Sequence, residues 1–244
     1  MDILKKHVMI KSFIKANRAI SSKLIKNNKS CSEIFRKLIQ NEVSVAKNIL
    51  EIGGSNRPYL QKSERYNYIG LDLDDSKDYS GCYNDIYIGD IKNFNQLHFD
   101  LIFSHFLMEH VKDVRDMYFH QIRILKPGGK IIHVYPMGWH PFSISTKIAQ
   151  NLGITRVLIK LLRPETLEVN GYHTYYDCGN PRALKKCLRS FKNIDFKLTY
   201  TYEAEDYFSF FFPFGLSLHL LNKINQFFSL SLFASNVVVE INRK

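Results

Sequence analysis

Glu51, Gly53, Gly54 and Asp72 are the residues of this chain whose types and spacing could do chemistry. The run Asn48-Ile49-Leu50-Glu51-Ile52-Gly53-Gly54-Ser55-Asn56-Arg57-Pro58 is a short apolar segment that ends in an acid and then in two adjacent glycines. That order predicts a buried strand feeding a tight, ligand-facing turn, because only small residues let a backbone turn sharply and approach a ligand closely. Twenty-one positions beyond Glu51, the apolar run Tyr68-Ile69-Gly70-Leu71 ends in Asp72, with Leu73, Asp74 and Asp75 behind it. Two strands with carboxylates at their C-terminal ends form the skeleton of a nucleotide-type site.

The elements that must position these acids follow from periodicity. Strand-like runs lie at Lys47–Ile52, Tyr68–Asp72, Asp85–Ile88, Phe99–Ser104 and Lys130–Tyr135. Val111 to Leu125 has apolar residues at helical spacing and stops at Pro127-Gly128-Gly129. Ser30 or Ser32 could cap an earlier helix carrying Ile34, Phe35, Leu38 and Ile39. Strands alternating with helices predict a mainly parallel sheet. Pro181–Phe191 reads as a helix, Asp195–Thr201 as a strand and Ala234–Ile241 as a β-branched final strand, the last two suited to antiparallel pairing at the sheet edge.

In their order, five passages resemble the class I S-adenosylmethionine-dependent methyltransferases over Lys47 to Tyr135. Glu51-Ile52-Gly53-Gly54-Ser55 is similar to that family's acid and glycine-rich loop, and Asp72 to its ribose-binding acid, with Asp74 as the alternative. Gly89-Asp90-Ile91 resembles the element in which an aspartate accepts from the adenine amino group and the next apolar residue lines the ring. Phe99 to His105 with Leu107-Met108-Glu109-His110-Val111 resembles the fourth strand and its turn, and Leu125-Lys126-Pro127-Gly128-Gly129-Lys130 the turn before the fifth strand.

The resemblance implies S-adenosylmethionine as cofactor and a Rossmann-like α/β fold. Its seven-stranded, mainly parallel sheet would have helices on both faces and an antiparallel last strand. It further implies cofactor contacts from Glu51, Gly53, Gly54, Ser55, Asn56, Asp72, Leu73, Asp90, Ile91, Ser104 and His105. The chain departs from the family's ExGxGxG pattern, since Ser55 and Arg57 stand where later glycines would be. No metal is indicated.

The expected chemistry is in-line displacement at a sulfonium methyl, in which the enzyme mainly fixes the acceptor behind the methyl carbon. A neutral imidazole near pH 7 could take an alcohol's proton, which makes His105, just beyond the fourth strand, and His140 the candidate bases. Glu109-His110 reads as a structural pair at a helix start. Beyond Tyr135, Trp139-His140-Pro141, Gly171-Tyr172-His173-Thr174-Tyr175-Tyr176 and Asn180-Pro181-Arg182-Ala183-Leu184 resemble a methyltransferase subgroup linked with surface-glycan or secondary-metabolite pathways. His140, Tyr172, His173, Tyr175 and Tyr176 combine flat apolar faces with polar tips, suited to a polyhydroxylated acceptor. O-methylation of a small molecule or glycan is the leading expectation. An RNA methyltransferase and a non-catalytic binding protein with an altered loop are the alternatives.

The 244 residues read as a single methyltransferase domain with a basic helical extension at 1–46, a cofactor-binding core at 47–136, substrate-side insertions with a helix and an edge strand at 137–231, and a C-terminal strand at 232–244. Four cysteines without CxxC or zinc-like spacing point to a reducing, cytoplasmic home. The formal charge of +11 is concentrated at the start, where eight lysines and arginines face Asp2 alone in residues 1–30. Apolar residues at helical spacing between those cations predict a basic amphipathic helix, a possible peripheral contact with the inner face of a membrane. Nucleic acid is disfavoured as a partner because aromatic and basic residues are not interleaved there, and no oligomeric state is legible. Residues 207–233 carry one formal charge, Lys223, but Pro213, Gly215, His219 and Asn222 interrupt them, so a lid or edge cover packed on the sheet is expected, with an interfacial patch as the main alternative, and not a membrane span.

Overall fold

A computed structural model of the chain describes residues 9, 12–21, 30–95, 98–162, 172–203 and 208–244. Backbone contacts divide it into two units. A sheet unit comprises Cys31–Pro136, Tyr175–Tyr200 and Asn236–Lys244, and a helical unit comprises Met1–Ser30, Met137–Thr174 and Thr201–Ser235.

The sheet unit is built on seven strands: β1 (Asn48–Ile52), β2 (Asn67–Asp72), β3 (Asp85–Ile88), β4 (Phe99–His105), β5 (Leu125–Pro136), β6 (Ile194–Thr201) and β7 (Asn236–Arg243). Their order across the sheet is β3-β2-β1-β4-β5-β7-β6. Neighbours from β3 through β5 pair in parallel, and β7 runs antiparallel to β5, so the expected mixed Rossmann-like sheet is present. In β1 and β4, Ile49, Leu50, Leu101, Ile102 and Phe103 are all fully buried. Strands covered on both faces read as continuous apolar runs, which is why the sequence announces them so clearly. Helix α2 (Cys31–Val43) lays Phe35 and Ile39 into the core formed by Ile49, Tyr68, Leu101, Phe103 and Val134. The boundary between the units therefore falls at Ser30, not at residue 46 where the basic extension was expected to end: α2 belongs to the sheet.

Two expected boundaries shift. Helix α3 (Val114–Ile124) is capped by Asp113, whose side chain accepts from the Asp116 N–H at 2.8 Å, so it starts after Val111. The Pro127-Gly128-Gly129 turn lies inside β5 and not ahead of it. The ladder passes from Phe99↔Leu125 to Leu101↔Lys130, and the intervening residues bulge outward at Gly128, whose φ of +76° favours glycine.

In the helical unit, residues 12–21 form helix α1, followed by α4 (Pro141–Asn151), α5 (Thr155–Leu162) and α7 (Phe212–Phe227); α6 (Pro181–Arg189) belongs to the sheet unit. No helix of the described residues is long and apolar enough to cross a membrane. Lys5, Lys6, Lys11, Lys23, Lys26 and Lys29 of the basic extension, together with Gly171 and Tyr207, lie outside the described residues.

Asp100 fastens the start of β1 to β4. Its Oδ2 accepts the N–H groups of Lys47 and Asn48 at 2.9 and 2.7 Å, and its Oδ1 takes the Lys126 ammonium at 2.7 Å. Burial, the largest single influence, raises this carboxyl, but Lys126 and the two N–H groups together hold it below the ordinary value. A depressed folded-state value contributes stability above the unfolded value that is lost as pH falls through the folded one. Asp100→Ala is therefore expected to cost about 1–3 kcal/mol in urea unfolding at neutral pH. The deficit should shrink as the pH is taken below the ordinary aspartate range, and a deficit that does not change with pH would remove the charge from the explanation.

Candidate active site

Glu51 is buried near the C-terminal end of β1, opposite Gly70 of β2 and Phe103 of β4. Its carboxylate receives the Tyr59 N–H on both oxygens, at 3.2 and 3.1 Å. It also receives the Tyr68 hydroxyl in a short hydrogen bond and the Tyr83 hydroxyl at 3.4 Å. Burial pushes this carboxyl up to about 7, against the opposing pull of the Tyr68, Tyr59 and Tyr83 hydrogen bonds. The chain around it has no room for side chains. A Cβ on Gly54 would stand 2.4 Å from both Glu51 Cδ and the Tyr83 hydroxyl. Gly53 has a φ of +74°, and a Cβ there would stand 2.6 Å from Leu107 Cδ1.

Ser55 takes a left-handed conformation that favours glycine, with φ +53°. Two hydrogen bonds hold it there: its N–H donates to Asp72 Oδ2 at 3.0 Å, and its carbonyl accepts the Tyr83 hydroxyl at 3.0 Å. The left-handed region costs a non-glycine residue about 1–2 kcal/mol, which two such bonds offset. Arg57 follows in the turn, its N–H donating to the Gly54 carbonyl at 3.1 Å, and the Asn56 carbonyl lies 3.6 Å from the Cys82 thiol.

Asp72 sits at the end of β2, and its Oδ1 accepts the Asp74 N–H at 3.0 Å. An ionised carboxylate has about four acceptor sites, so two backbone donors leave capacity for a diol. The Asp74 carboxylate instead accepts the N–H and hydroxyl of Ser76, at 2.9 and 2.5 Å, which favours Asp72 as the ligand-facing acid. Leu73 next to it is 74% exposed, an apolar surface beside an acid. The Gly89 N–H donates to the Asp72 carbonyl at 2.8 Å, which brings the end of β3 alongside. Asp90 caps the following short turn through the Lys92 N–H at 2.9 Å, and Ile91 is buried under it. A carboxylate with spare acceptors, an exposed leucine and a second acid at the neighbouring strand end fit the ribose and adenine of an adenosine-type cofactor.

His105 ends β4. Its ring lies 5.4 Å from that of Phe35, 5.2 Å from Tyr59 and 4.5 Å from Phe106. No described residue hydrogen-bonds its nitrogens, and burial lowers its pKa from the ordinary histidine value. Tyr59 thus joins the two ends of the site, its backbone on Glu51 and its ring on His105. Ser104 faces elsewhere: its hydroxyl bonds His133 Nδ1 at 2.7 Å, and His133 Nε2 bonds Gln121 at 2.9 Å. Glu109, in the turn after β4, is buried with Oε2 lacking a hydrogen-bond partner and Oε1 3.9 Å from His110 Nε2. Burial raises its carboxyl to about 8, with only its own backbone N–H opposing.

The aromatic set beyond β5 divides between the units. In the helical unit His140 caps α4, its Nδ1 accepting the Phe142 N–H at 3.2 Å and its Nε2 meeting Asn222 Oδ1 at 3.2 Å. A proton on Nδ1 would displace that cap. Gln150 holds the next stretch, bonding the His173 ring at 3.2 Å and the Thr174 N–H at 2.9 Å, and Tyr172 is exposed beside it. Tyr175 and Tyr176 belong to the sheet unit, where their N–H groups both donate to the Glu109 carbonyl, at 2.8 and 3.1 Å. Tyr59 and Tyr83, which shape the site, had no motif to reveal them, and Leu107 lay in a motif that gave no sign of its place against the loop. Only the apolar placement of Tyr68 inside a strand hinted at burial.

A carboxyl whose folded-state pKa is raised contributes stability that is full below its unfolded value and lost as pH rises through the folded one. For Glu109 that window runs from the ordinary glutamate value to about 8. Between about pH 5 and pH 9 the wild type is expected to lose a few kcal/mol more than Glu109→Gln in urea unfolding, on the scale of about 1.4 kcal/mol per pKa unit. Parallel pH curves for the two proteins would show that the carboxyl is not held neutral by burial.

Residues 50–133 match a family model described as a methyltransferase domain. No curated protein matches the chain. Among solved structures, the plantazolicin methyltransferase BpumL in complex with SAH aligns over 97% of this chain and 99% of its own, at 14% identity and a TM-score of 0.50. A SAM-dependent methyltransferase from Archaeoglobus fulgidus aligns over 88% and 95%, at 14% identity and a TM-score of 0.52. The carbon methyltransferase of CurJ aligns over 86% of this chain and 53% of its own, at 15% identity and a TM-score of 0.50. At such identities the likeness is one of fold. The family match lies on the strands and acids described above, so residues 50–133 form a Rossmann-like methyltransferase domain, for which S-adenosylmethionine is the cofactor.

Proposed function

We propose that this enzyme methylates a hydroxyl oxygen of a small molecule or glycan, with His105 as the base. The observation that carries this reading is the state of His105: a half-buried, neutral imidazole at the C-terminal end of β4, walled by aromatic rings and bonded to no described residue. The ring nitrogens of His133 and His140 are engaged by their neighbours, which argues against either as a base.

S-adenosylmethionine, when bound, supplies an electrophilic methyl group open to in-line attack. Asp72 would accept from the ribose hydroxyls and Asp90 from the adenine amino group, with Leu73 as apolar cover. Glu51 acts on the loop: its carboxyl holds Tyr59, and through it the wall beside His105. His105 would receive the acceptor's hydroxyl proton on a ring nitrogen while the surrounding rings exclude water. The exposed Tyr172 and Tyr175 offer the flat faces that sugars favour. The left-handed Ser55 and its bond to Asp72 weaken the non-catalytic alternative, because the loop keeps its shape without the glycine. The same reading keeps the enzyme in the cytoplasm, in peripheral contact with a membrane through its basic N-terminal helix.

His105→Ala is expected to lower kcat by about a hundredfold or more, the usual scale for a lost general base. Because burial lowers the His105 pKa, the wild-type rate should rise with pH through a value below the ordinary histidine range and be level at neutrality, and His105→Ala should lose that limb. An unchanged pH profile would exclude His105 as the base. Gly53→Asp, which puts a side chain against Leu107 in an unfavourable backbone region, should weaken S-adenosylmethionine binding at least tenfold by calorimetry. Unaltered affinity would mean that this loop is not the cofactor site.

A further inference from the structure

The helices of the helical unit are amphipathic in the opposite sense to a water-soluble helix. On α7 the buried stripe is Gly215, Leu218, Asn222 and Asn225. Asn222 is 1% exposed, whereas Leu220 is 55%, Ile224 52% and Phe227 83% exposed. On α1 the residues turned inward are Ile14, Asn17 and Ser21, and Phe13 and Ile20 face out. α5 buries none of its residues, and its Val157 and Leu161 are exposed. A helix in water places its apolar stripe inward. Here Asn17, Ser21, Asn222 and Asn225 are inside beside Ile14 and Leu218, and many of the large apolar residues meet solvent.

These three helices form one surface. The Asn17 side chain accepts the Phe212 N–H at 2.9 Å, capping α7 from α1, and the Phe13 and Phe211 rings stack at 6.5 Å. Arg18 donates to the Leu162 carbonyl at the end of α5 at 2.5 Å. Of the 26 large apolar residues exposed among the described residues, 21 belong to the helical unit, so the apolar surface is a property of that unit and not of the whole chain. Among the described residues, the charges on its helices have one sign. Helices α1, α4, α5 and α7 carry Lys15, Arg18, Lys147, Arg156, Lys160 and Lys223 and no aspartate or glutamate.

We infer that the α1–α5–α7 face docks on an anionic lipid bilayer, with α7 lying in the interface and its Leu220, Ile224 and Phe227 inserted among the acyl chains. Exposed apolar side chains on helices that also carry cations match both layers of such a surface, the hydrocarbon and the negative headgroups. A second copy of this chain is the poorer occupant, because two faces that carry only cations would repel. The inference extends the peripheral contact of the N-terminal helix to a specific insertion surface. It is independent of the acceptor, since methyl transfer to a water-soluble acceptor needs no membrane.

Flotation of the full chain with vesicles of phosphatidylcholine alone, and of phosphatidylcholine with phosphatidylglycerol, tests it. The wild type should float with the anionic vesicles and at least tenfold less with the neutral ones. Leu220→Asp/Ile224→Asp should abolish flotation while leaving the circular dichroism and S-adenosylmethionine affinity intact. Lys15→Glu/Lys160→Glu, which leaves the apolar face whole, should lower flotation on anionic vesicles only. Absence of wild-type flotation would overturn the inference, as would equal flotation on both vesicles. Loss in the charge-reversal variant without loss in the aspartate variant would overturn the insertion of α7. Dimerisation in sedimentation velocity that Leu220→Asp/Ile224→Asp abolishes, without flotation, would assign the face to a second copy. None of these outcomes bears on methyl transfer in solution.

Discussion

One buried carboxyl organises the ligand end of the sheet. Glu51 lies where β1 gives way to the loop, out of reach of water, and a carboxyl there must be hydrogen-bonded or neutral. Its hydrogen-bond partners come from three places: the loop at Tyr59, β2 at Tyr68, and the turn two residues before β3 at Tyr83. The carboxyl therefore ties together the elements that must carry the cofactor. It also dictates the local sequence, because its volume and that of Tyr83 leave no space for a side chain on residue 54. The loop glycines are thus explained first by the protein's own interior.

Two acids at neighbouring strand ends are separated in role by their surroundings. Burial raises the Glu51 carboxyl to about 7, with its oxygens turned to tyrosines, whereas Asp72 meets backbone N–H groups at the surface and keeps free acceptor sites. Glu51 shapes and Asp72 is left to bind. Tyr59 transmits the shape across β4, since the residue whose N–H is fixed by Glu51 presents its ring to His105. The geometry of the proposed base depends on a carboxyl that it does not touch.

The legible parts of this chain were those set by burial on both faces. β1, β4 and most of β5 were evident as apolar runs, and the acids at their ends marked the site. The order of the strands came through a resemblance between motifs and not through periodicity. What the residues could not reveal was how side chains are engaged. Ser104 read as a cofactor contact, yet its hydroxyl serves His133 in the core. His140 read as a base, yet its place before Pro141 makes it a helix cap. Tyr172 to Tyr176 read as one aromatic cluster, yet the boundary between units passes through it after Thr174. In each case the deciding partner is far away in sequence and has no pattern of its own.

Helical periodicity has a further blind spot that the second unit exposes. Spacing identifies two faces of a helix but not which one the fold turns inward. In α1 and α7 the choice was made by polar bonds: Asn17 supplies the cap that Phe211, without a side-chain oxygen, cannot give to α7, and Asn222 meets His140, itself the cap of α4. Asn17 and Asn222 make these hydrogen bonds inside the unit, and large apolar residues on the other side of each helix are exposed. The exposed apolar stripe thus lies opposite the capping network, and removing the stripe alone would leave that network standing. A surface arranged in this way is separable from the fold that carries it, so the exposed apolar side chains can be changed without touching the methyltransferase core.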